Sequence, residues 1–517
     1  MKQLSKAKTG INGLDEITLG GLPRGRPTLV CGGPGCGKTL FSMEFLVKGA
    51  TLFNEPGVFV AFEEKAEELI MNVASLGFDL AKLQKQKKIV LDFVRIERGE
   101  IEETGDYDLD GLFIRLEHAI DSIGAKRVVL DTIENLFAGL TNQGILRAEL
   151  RRLFLWLKEK GVTAIITGEQ GDGKLTRQGL EEYVSDCVIL LDHRVINQIS
   201  TRRLRIVKYR GSVHGTNEYP FLIDEEGFSV LPVTSLTLEK NVSSQRISTG
   251  IPSLDEMFGG KGFYRGSSIL ISGTAGTGKT SIAAFFANAA CNRKEKCIYF
   301  AFEESPKQII RNMRSIGLNF DAHLKSGLLQ FHSSRPSLYG LERHLASIYK
   351  MVKAVKPGTV VLDPITNLVS VGLINEVNSM LLRLIDFLQV EGITVMLTAL
   401  TNILDERMEE GVSSLVDTWI SVRDIENNGE RNRTVYVMKS RGMKHSNKVR
   451  EFVISNRGIN FVEVYQETGG NILIGSAREA SEQKNRLGKE SREPANKKRA
   501  ANRQVPNISK STKQKEE

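Results

Sequence analysis

Short β-branched runs alternate with longer amphipathic stretches along most of the chain. Val58 to Phe62, Arg127 to Asp131, Val162 to Thr167 and Val188 to Leu191 are too short for helices and predict buried strands in the first half. Cys297 to Phe302, Thr359 to Asp363 and Ile393 to Leu397 are their counterparts in the second half. Strand and helix alternating in this way predict an α/β fold with mostly parallel sheets covered on both faces. Ligands of such sheets bind at the carboxyl ends of the strands.

Two glycine-rich stretches lie where that rule puts a ligand. Gly32, Gly33, Pro34, Gly35, Cys36, Gly37, Lys38 and Thr39 make the phosphate-loop pattern once; Gly273, Thr274, Ala275, Gly276, Thr277, Gly278, Lys279 and Thr280 make it again. Each follows a strand-like run, Pro27 to Cys31 or Ser268 to Ser272, and precedes a helix-like one, Leu40 to Lys48 or Ser281 to Cys291. The chemistry needs this order: glycines let backbone N–H groups turn inward around phosphate oxygens, and the lysine reaches the β and γ phosphates. The threonine places a hydroxyl on Mg²⁺, and the helix adds the positive end of its dipole. The pattern therefore predicts two sites for ATP and Mg²⁺.

The repetition is wider than the loops. Thr9 to Glu16 returns as Thr249 to Glu256, Ala61 to Glu64 as Ala301 to Glu304, and Ser75-Leu76-Gly77-Phe78 as Ser315-Ile316-Gly317-Leu318. Lys208-Tyr209-Arg210-Gly211 returns as Lys439-Ser440-Arg441-Gly442. A tandem duplication results, predicting domains at 1–245 and 246–465 with a tail at 466–517.

Asp131 and Asp363 close strands in the Walker B manner and predict ligands to the Mg²⁺ water shell, beside the alternative of a strand-end Asp capping a loop. Glu63-Glu64 and Glu303-Glu304 also end strands. One such pair reads as a solvated tip, but the same pair twice in register points to a glutamate that orients or deprotonates the attacking nucleophile. Lys208 and Arg210, or Lys439 and Arg441, fall on one face of a strand by alternate spacing. They are far in sequence from their own phosphate loops, so either they mark a solvated edge or they act on a neighbouring subunit's γ phosphate, as an arginine finger does.

Composition is that of a globular protein, 41% hydrophobic and 26% charged. The net charge of +8 suggests nucleic acid until it is located: 12 Lys or Arg against 6 Asp or Glu lie beyond Gly475, leaving about +2 for the rest. That tail is polar and without aromatics, predicting disorder, with Ser476 to Leu487 as a possible helical extension. Five cysteines in no framework or metal spacing fit a reducing, cytoplasmic compartment. The expectations are no export signal, since Met1 to Glu16 has no apolar segment, and no membrane span.

From about Lys8 to Val464 the chain resembles the KaiC family of double-domain RecA-like ATPases and autokinases of the circadian clock. The resemblance rests on both phosphate loops, the paired Phe-Glu-Glu motifs and the Lys-x-Arg-Gly-x-x-His strands ending at His214 and His445. It implies two tandem RecA-like P-loop NTPase domains in an ATP-dependent homohexamer of two stacked rings, the first hydrolysing ATP and the second phosphorylating and dephosphorylating itself. It places Lys208, Tyr209, Arg210, Ser212 and His214 at the first nucleotide with Ser75, Leu76, Gly77 and Phe78. At the second nucleotide it places Arg433, Lys439, Ser440, Arg441 and His445 with Ile316. It makes Glu63 and Glu64 the activators of water, and Glu303 and Glu304 the groups that take a proton from the acceptor hydroxyl and contact Mg²⁺. Ser413 and Ser414, in Val412 to Thr418, align with the family's adjacent acceptors, the second being Thr in the family.

Two departures argue against the partner KaiA: the extended basic tail, and Met408 where the clock protein has Thr. They suggest a homologue working with a KaiB-like protein and signalling partners in timing or stress adaptation, with the tail as a means of joining hexamers. A RecA-like nucleic-acid motor is the main rival, yet Thr141 to Arg147 and Val369 to Asn378, the stretches facing a ring channel, carry little charge and no aromatic. A signalling scaffold that ATP merely assembles is the third reading, and the intact catalytic set in both repeats argues against it.

Overall fold

The structure is a computed structural model, and it describes residues 4–94, 109–136, 143–171, 173–177, 179, 185–196, 199–232, 243–338, 340–372, 374–401, 414–427, 429–466, 472–481 and 483. The chain divides into two compact units. One comprises residues 1–242, 334–357 and 367–392, the other 243–333, 358–366 and 393–517.

Nine strands form the sheet of the first unit: β1 (Pro27–Gly32), β2 (Gly57–Ala61), β3 (Ile89–Phe93), β4 (Arg127–Asp131), β5 (Thr163–Glu169), β6 (Cys187–Ile196), β7 (Ile199–Tyr209), β8 (Glu218–Asp224) and β9 (Gly227–Val230). Their order is β9-β8-β7-β6-β1-β5-β4-β2-β3. The six strands from β6 to β3 are parallel, whereas β7, β8 and β9 join antiparallel. The second unit repeats this with β10 (Ser268–Gly273), β11 (Cys297–Ala301), β12 (Leu329–Ser333), β13 (Thr359–Asp363), β14 (Thr394–Leu400), β15 (Thr418–Asn427), β16 (Glu430–Ser440), β17 (Arg450–Ser455) and β18 (Gly458–Glu463). Its order, β18-β17-β16-β15-β10-β14-β13-β11-β12, is the same one strand for strand.

Every residue of β1, β2 and β4 is buried, because helices cover both faces. Alternate side chains enter different cores. Phe59 and Val129 pack with Phe41 and Phe45 of the helix Lys38–Leu52, while Val58, Val60, Val128 and Leu130 pack with Phe113, Leu150 and Phe154 of the helices Asp110–Ile123 and Gln143–Glu159. The predicted runs are these strands with ends shifted by up to three residues. Only Val188 to Leu191 grew substantially, into the long hairpin β6–β7.

Two helices of the second repeat, Leu341–Val355 and Ile374–Val390, belong to the first compact unit. There Lys350 pairs with Asp224 at 2.5 Å and Arg203 with Glu342 at 2.8 Å. In the second unit the start of the predicted tail is folded. Ile474 is buried, Ser476 N–H donates to Glu430, and Arg478 pairs with Glu451 at 2.6 Å, both side chains buried. Residues 476–481 are helical, matching the first half of the predicted extension; the basic stretch from 484 onward lies outside the described residues. No described helix is long and apolar enough to cross a membrane.

Candidate nucleotide sites

Each phosphate loop joins the end of a central strand, β1 or β10, to the helix beginning at its lysine, as the motif demanded. Gly37 and Gly278 cap those helices at φ 101° and 95°, in the left-handed region. A Cβ there would also lie 2.7 Å from Ile223 or Phe452, so the position admits only glycine. Lys38 Nζ donates to the carbonyls of Gly32 and Gly33 at 2.9 and 3.1 Å, and Lys279 Nζ to those of Gly273 and Thr274 at 2.8 and 2.6 Å. Two of three ammonium donors hold the side chain over its loop, leaving one for a phosphate oxygen. Burial brings the Lys279 ammonium down to about 8, against the opposing charges of Asp363, Glu303 and Asp424. Cys36 is buried inside its loop, and burial pushes its thiol up.

The Walker B carboxylates sit beside the loops. Asp131 is buried and accepts hydrogen bonds from the hydroxyls of Thr167 and Thr39; burial nonetheless raises its carboxyl above the usual range. Asp363 accepts from Tyr299 Oη at 2.6 Å and from the Thr398 hydroxyl. The peptide after each Asp is cis. Among the described residues no three His, Cys, Asp or Glu side chains converge as a metal cage. One carboxylate with one loop hydroxyl, Asp131 with Thr39 or Asp363 with Thr280, is nevertheless a donor set that suits Mg²⁺, which keeps several waters and takes substrate phosphates as ligands.

The glutamates follow directly, because Phe62 N–H donates to the Asp131 carbonyl and Phe302 N–H to that of Asp363, tying each Glu pair to its Walker B strand. Glu63 accepts from Asn135 at 2.6 Å and Thr132 at 3.3 Å, and Glu64 from Asn72 at 3.1 Å. In the second repeat Asn312 donates to Glu304 at 3.2 Å. Burial raises the Glu304 carboxyl, and the charges of Asp363 and Glu303 raise it further, which favours a proton acceptor. Lys279, Thr280, Glu303, Glu304, Asp363 and Ile316 line one cleft of about 320 Å³.

The Lys-x-Arg segments lie elsewhere. Gly273, where the loop begins, pairs with Val422 and Val422 with Val435, whereas Thr418 pairs with Ser440 at the other end of the hairpin. Six strand steps separate Val435 from Arg441, about 20 Å. The first repeat is the same: Gly32 pairs with Leu191 and Leu191 with Leu204, while Cys187 pairs with Tyr209. Lys208, Arg210, Lys439 and Arg441 thus occupy the amino end of a sheet whose carboxyl end holds the phosphate loop. Arg210 lies just past its strand, where its N–H donates to the Asp186 carbonyl as Arg441 N–H does to Asp417. Burial, and then the charge of Arg441, lower the Lys439 ammonium.

Around them, Ser212 accepts from Lys6 at 2.7 Å, Tyr209 Oη donates to the Gly21 carbonyl, and His214 and His445 face the carbonyls of Ser212 and Met443. Ser440 and Thr418 share a hydroxyl pair at 3.0 Å. Ser75 ends the helix Ala66–Ala74, and Phe78 is buried behind it. Arg433 stands apart from Lys439 and Arg441, since its Nε donates to the Gly276 carbonyl of its own loop. Ser414 is exposed at the Lys-x-Arg end, with its carbonyl accepting from Arg441 at 2.8 Å. Ser413 and Met408 lie outside the described residues, as do 141 and 142 of the first channel stretch and 373 of the second.

Sequence reasoning missed several partners. Asn72 and Asn312 recur at the spacing of the glutamates they hold, and Thr167 and Thr398 at the spacing of the Lys-x-Arg strands. Arg202 pairs across its hairpin with His193 as Arg433 does with Asp424, so the two arginines are equivalent. The duplication contained that signal.

A family model described as "ATPase: KaiC" matches residues 7–235 and again 247–466. The chain is 59% identical over 479 residues to the "Circadian clock protein KaiC2" of Synechocystis sp., covering 92% of this chain and 84% of that one. It is 38% identical over 464 residues to the "Circadian clock oscillator protein KaiC" of Synechococcus elongatus, covering 88% of each. The protein of the same name from Parathermosynechococcus lividus is 37% identical over 475 residues, 90% of this chain and 87% of that one.

Proposed function

Because the chain belongs to the KaiC family of ATPases, we propose that it works as a hexameric ring in which the first repeat, 1–245, hydrolyses ATP and the second, 246–465, phosphorylates and dephosphorylates Ser413 and Ser414. The observation that carries this reading is the position of the Lys-x-Arg segments. A phosphate loop at one end of a sheet and its complementary cations at the other make a complete site only between two copies arranged head to tail.

In each site the loop amides and Lys38 or Lys279 hold the triphosphate. Thr39 with Asp131, or Thr280 with Asp363, would hold Mg²⁺, which would supply positive charge against the phosphates. Lys208 and Arg210 of the neighbouring copy, or its Lys439 and Arg441, reach the γ phosphate as charge shifts toward the leaving oxygen. In the first repeat Glu63, steadied by Asn135, and Glu64 orient and deprotonate water. In the second, Glu304 or Glu303 takes the proton of an acceptor hydroxyl. Since Ser414 shares the Lys-x-Arg end, that hydroxyl comes from the same neighbour as the finger.

Five buried cysteines, none of them in a disulfide, support work in a reducing cytoplasm. The names of the relatives support a role in timing, and the extended tail with Met408 supports a KaiB-like partner rather than KaiA. Phosphopeptide mass spectrometry after incubation with Mg-ATP tests the reading, beside Glu303→Gln and the Ser413→Ala/Ser414→Ala protein. Phosphate on either serine that Glu303→Gln abolishes supports the autokinase. ATP hydrolysis without phosphate at these serines leaves a ring ATPase alone.

A further inference from the structure

The two sites share a fold but differ at the lip of the phosphate loop. In the second repeat the Asp424 carboxylate, largely buried, pairs with Arg431 across the β15–β16 hairpin at 2.7 Å and accepts from Thr274 of the loop at 3.4 Å. It lies opposite Arg433 in the strand register, and Arg433 touches the same loop at Gly276. In the first repeat the equivalent cross-strand pair is His193 with Ser200, hydrogen-bonded at 2.7 Å. There the loop position matching Thr274 is Gly33, which has no hydroxyl to offer. The same geometry is therefore a carboxylate–guanidinium pair at one loop and an imidazole–hydroxyl pair at the other. Asp424 also acts electrostatically on Lys279, the group that must meet the phosphates.

We propose that Asp424 is an affinity-determining residue of the second nucleotide site, a carboxylate at the lip of the loop that opposes the charge of an incoming polyphosphate. The inference rests on the reading of this loop as a nucleotide site. The Arg431 pairing holds Asp424 in place while neutralising only part of its charge, because Arg431 is itself exposed. The consequence is weaker retention, hence faster exchange, of nucleotide at the second loop.

Asp424→Asn removes the charge and retains an acceptor for both Thr274 and Arg431. Its test is equilibrium dialysis of the full chain with Mg-ADP, Mg-ATP and AMP, in a Lys38→Ala background that silences the first loop. The variant is expected to bind ADP about five- to tenfold more tightly, the size of one partly screened charge near the ligand. The gain grows from AMP to ATP and shrinks at high salt, which a merely structural loosening of the hairpin would not produce. His193→Asp, in a Lys279→Ala background, is expected to weaken the first site by a similar factor. Equal affinities for parent and Asp424→Asn overturn the proposal while leaving the site intact. No binding in the Lys38→Ala parent, with both loops intact in the wild type, overturns the nucleotide reading of the second loop and the proposal with it. If Lys38→Ala fails to fold, the wild-type background gives the same answer as a shift in one of its two binding phases.

Discussion

The separation of each phosphate loop from its own Lys-x-Arg segment makes a sharp prediction about mixed rings. About 20 Å of strand lies between Val435 beside the loop and Arg441, far beyond the reach of one side chain. On the proposed trans reading Arg441 serves only a neighbour, and its loss is expected to cost about 10³-fold in turnover at that neighbour's loop, the lower range for a transferred arginine. Consider Lys279→Ala, with a dead loop and an intact finger, and Arg441→Ala, with the reverse, both in a Glu63→Gln/Glu64→Gln background that silences first-repeat hydrolysis. Each alone is inactive. In a randomly mixed one-to-one ring, an interface works when an Arg441→Ala loop meets a Lys279→Ala finger, which holds for about a quarter of interfaces in a head-to-tail ring. Phosphate release by the mixture is expected to recover to about a quarter of the background protein's rate, more than a hundredfold above either parent. A mixture no faster than the mean of its parents would refute the trans assignment.

Other predictions concern protons. Glu44, on the helix after the first loop, is buried, accepts from Phe228 N–H at 2.6 Å, and is pushed by burial from 4.5 to about 7, with Lys48, Asp224 and Lys350 as its charged surroundings. Its folded value exceeds its unfolded one, so its stabilising effect is complete below pH 4.5 and is lost as the pH rises through 7, a swing of about 3 kcal/mol. Urea unfolding is expected to show Glu44→Gln more stable relative to wild type at pH 8 than at pH 5 by about that amount, and an equal difference at both would sink the assignment. Lys279, lowered to about 8, is half neutral at that pH in the free protein, so binding of Mg-ADP to the second loop is expected to take up about half a proton. Calorimetry in buffers of different ionisation enthalpy reads this uptake directly. It should vanish at pH 6, and independence of buffer at pH 8 would contradict it.

The central strands and phosphate loops were legible because they depend on local patterns: a buried strand must be apolar, and a loop that presents amides must be glycine-rich. The paired glutamates were legible only because the duplication showed them twice. The end of the sheet on which Lys208 and Arg210 lie was not, since it follows from β7 running antiparallel to β6, which the register fixes and no local pattern announces. The resemblance grouped Arg433 with Arg441 at one nucleotide. Within a single copy they lie at opposite ends of a strand, and the proposed head-to-tail pairing reconciles the two. Glu44 escaped notice because one carboxylate in a helix reads as solvent-facing. Its burial depends on Gly227, at φ 97°, bringing backbone against it from far along the chain.

The buried pair of Arg478 and Glu451 bears on where this protein can be shortened or extended. Glu451 lies within β17, so any truncation that ends before Arg478 leaves a carboxylate stranded in the interior, at a cost of about 3–5 kcal/mol. An affinity tag or fusion partner at a stop codon placed after 466 would thus report on a damaged second unit rather than on the loss of a tail. A stop beyond 481 removes most of the excess positive charge and leaves the pair in place. The chain's editable margin begins some fifteen residues past the boundary at 466.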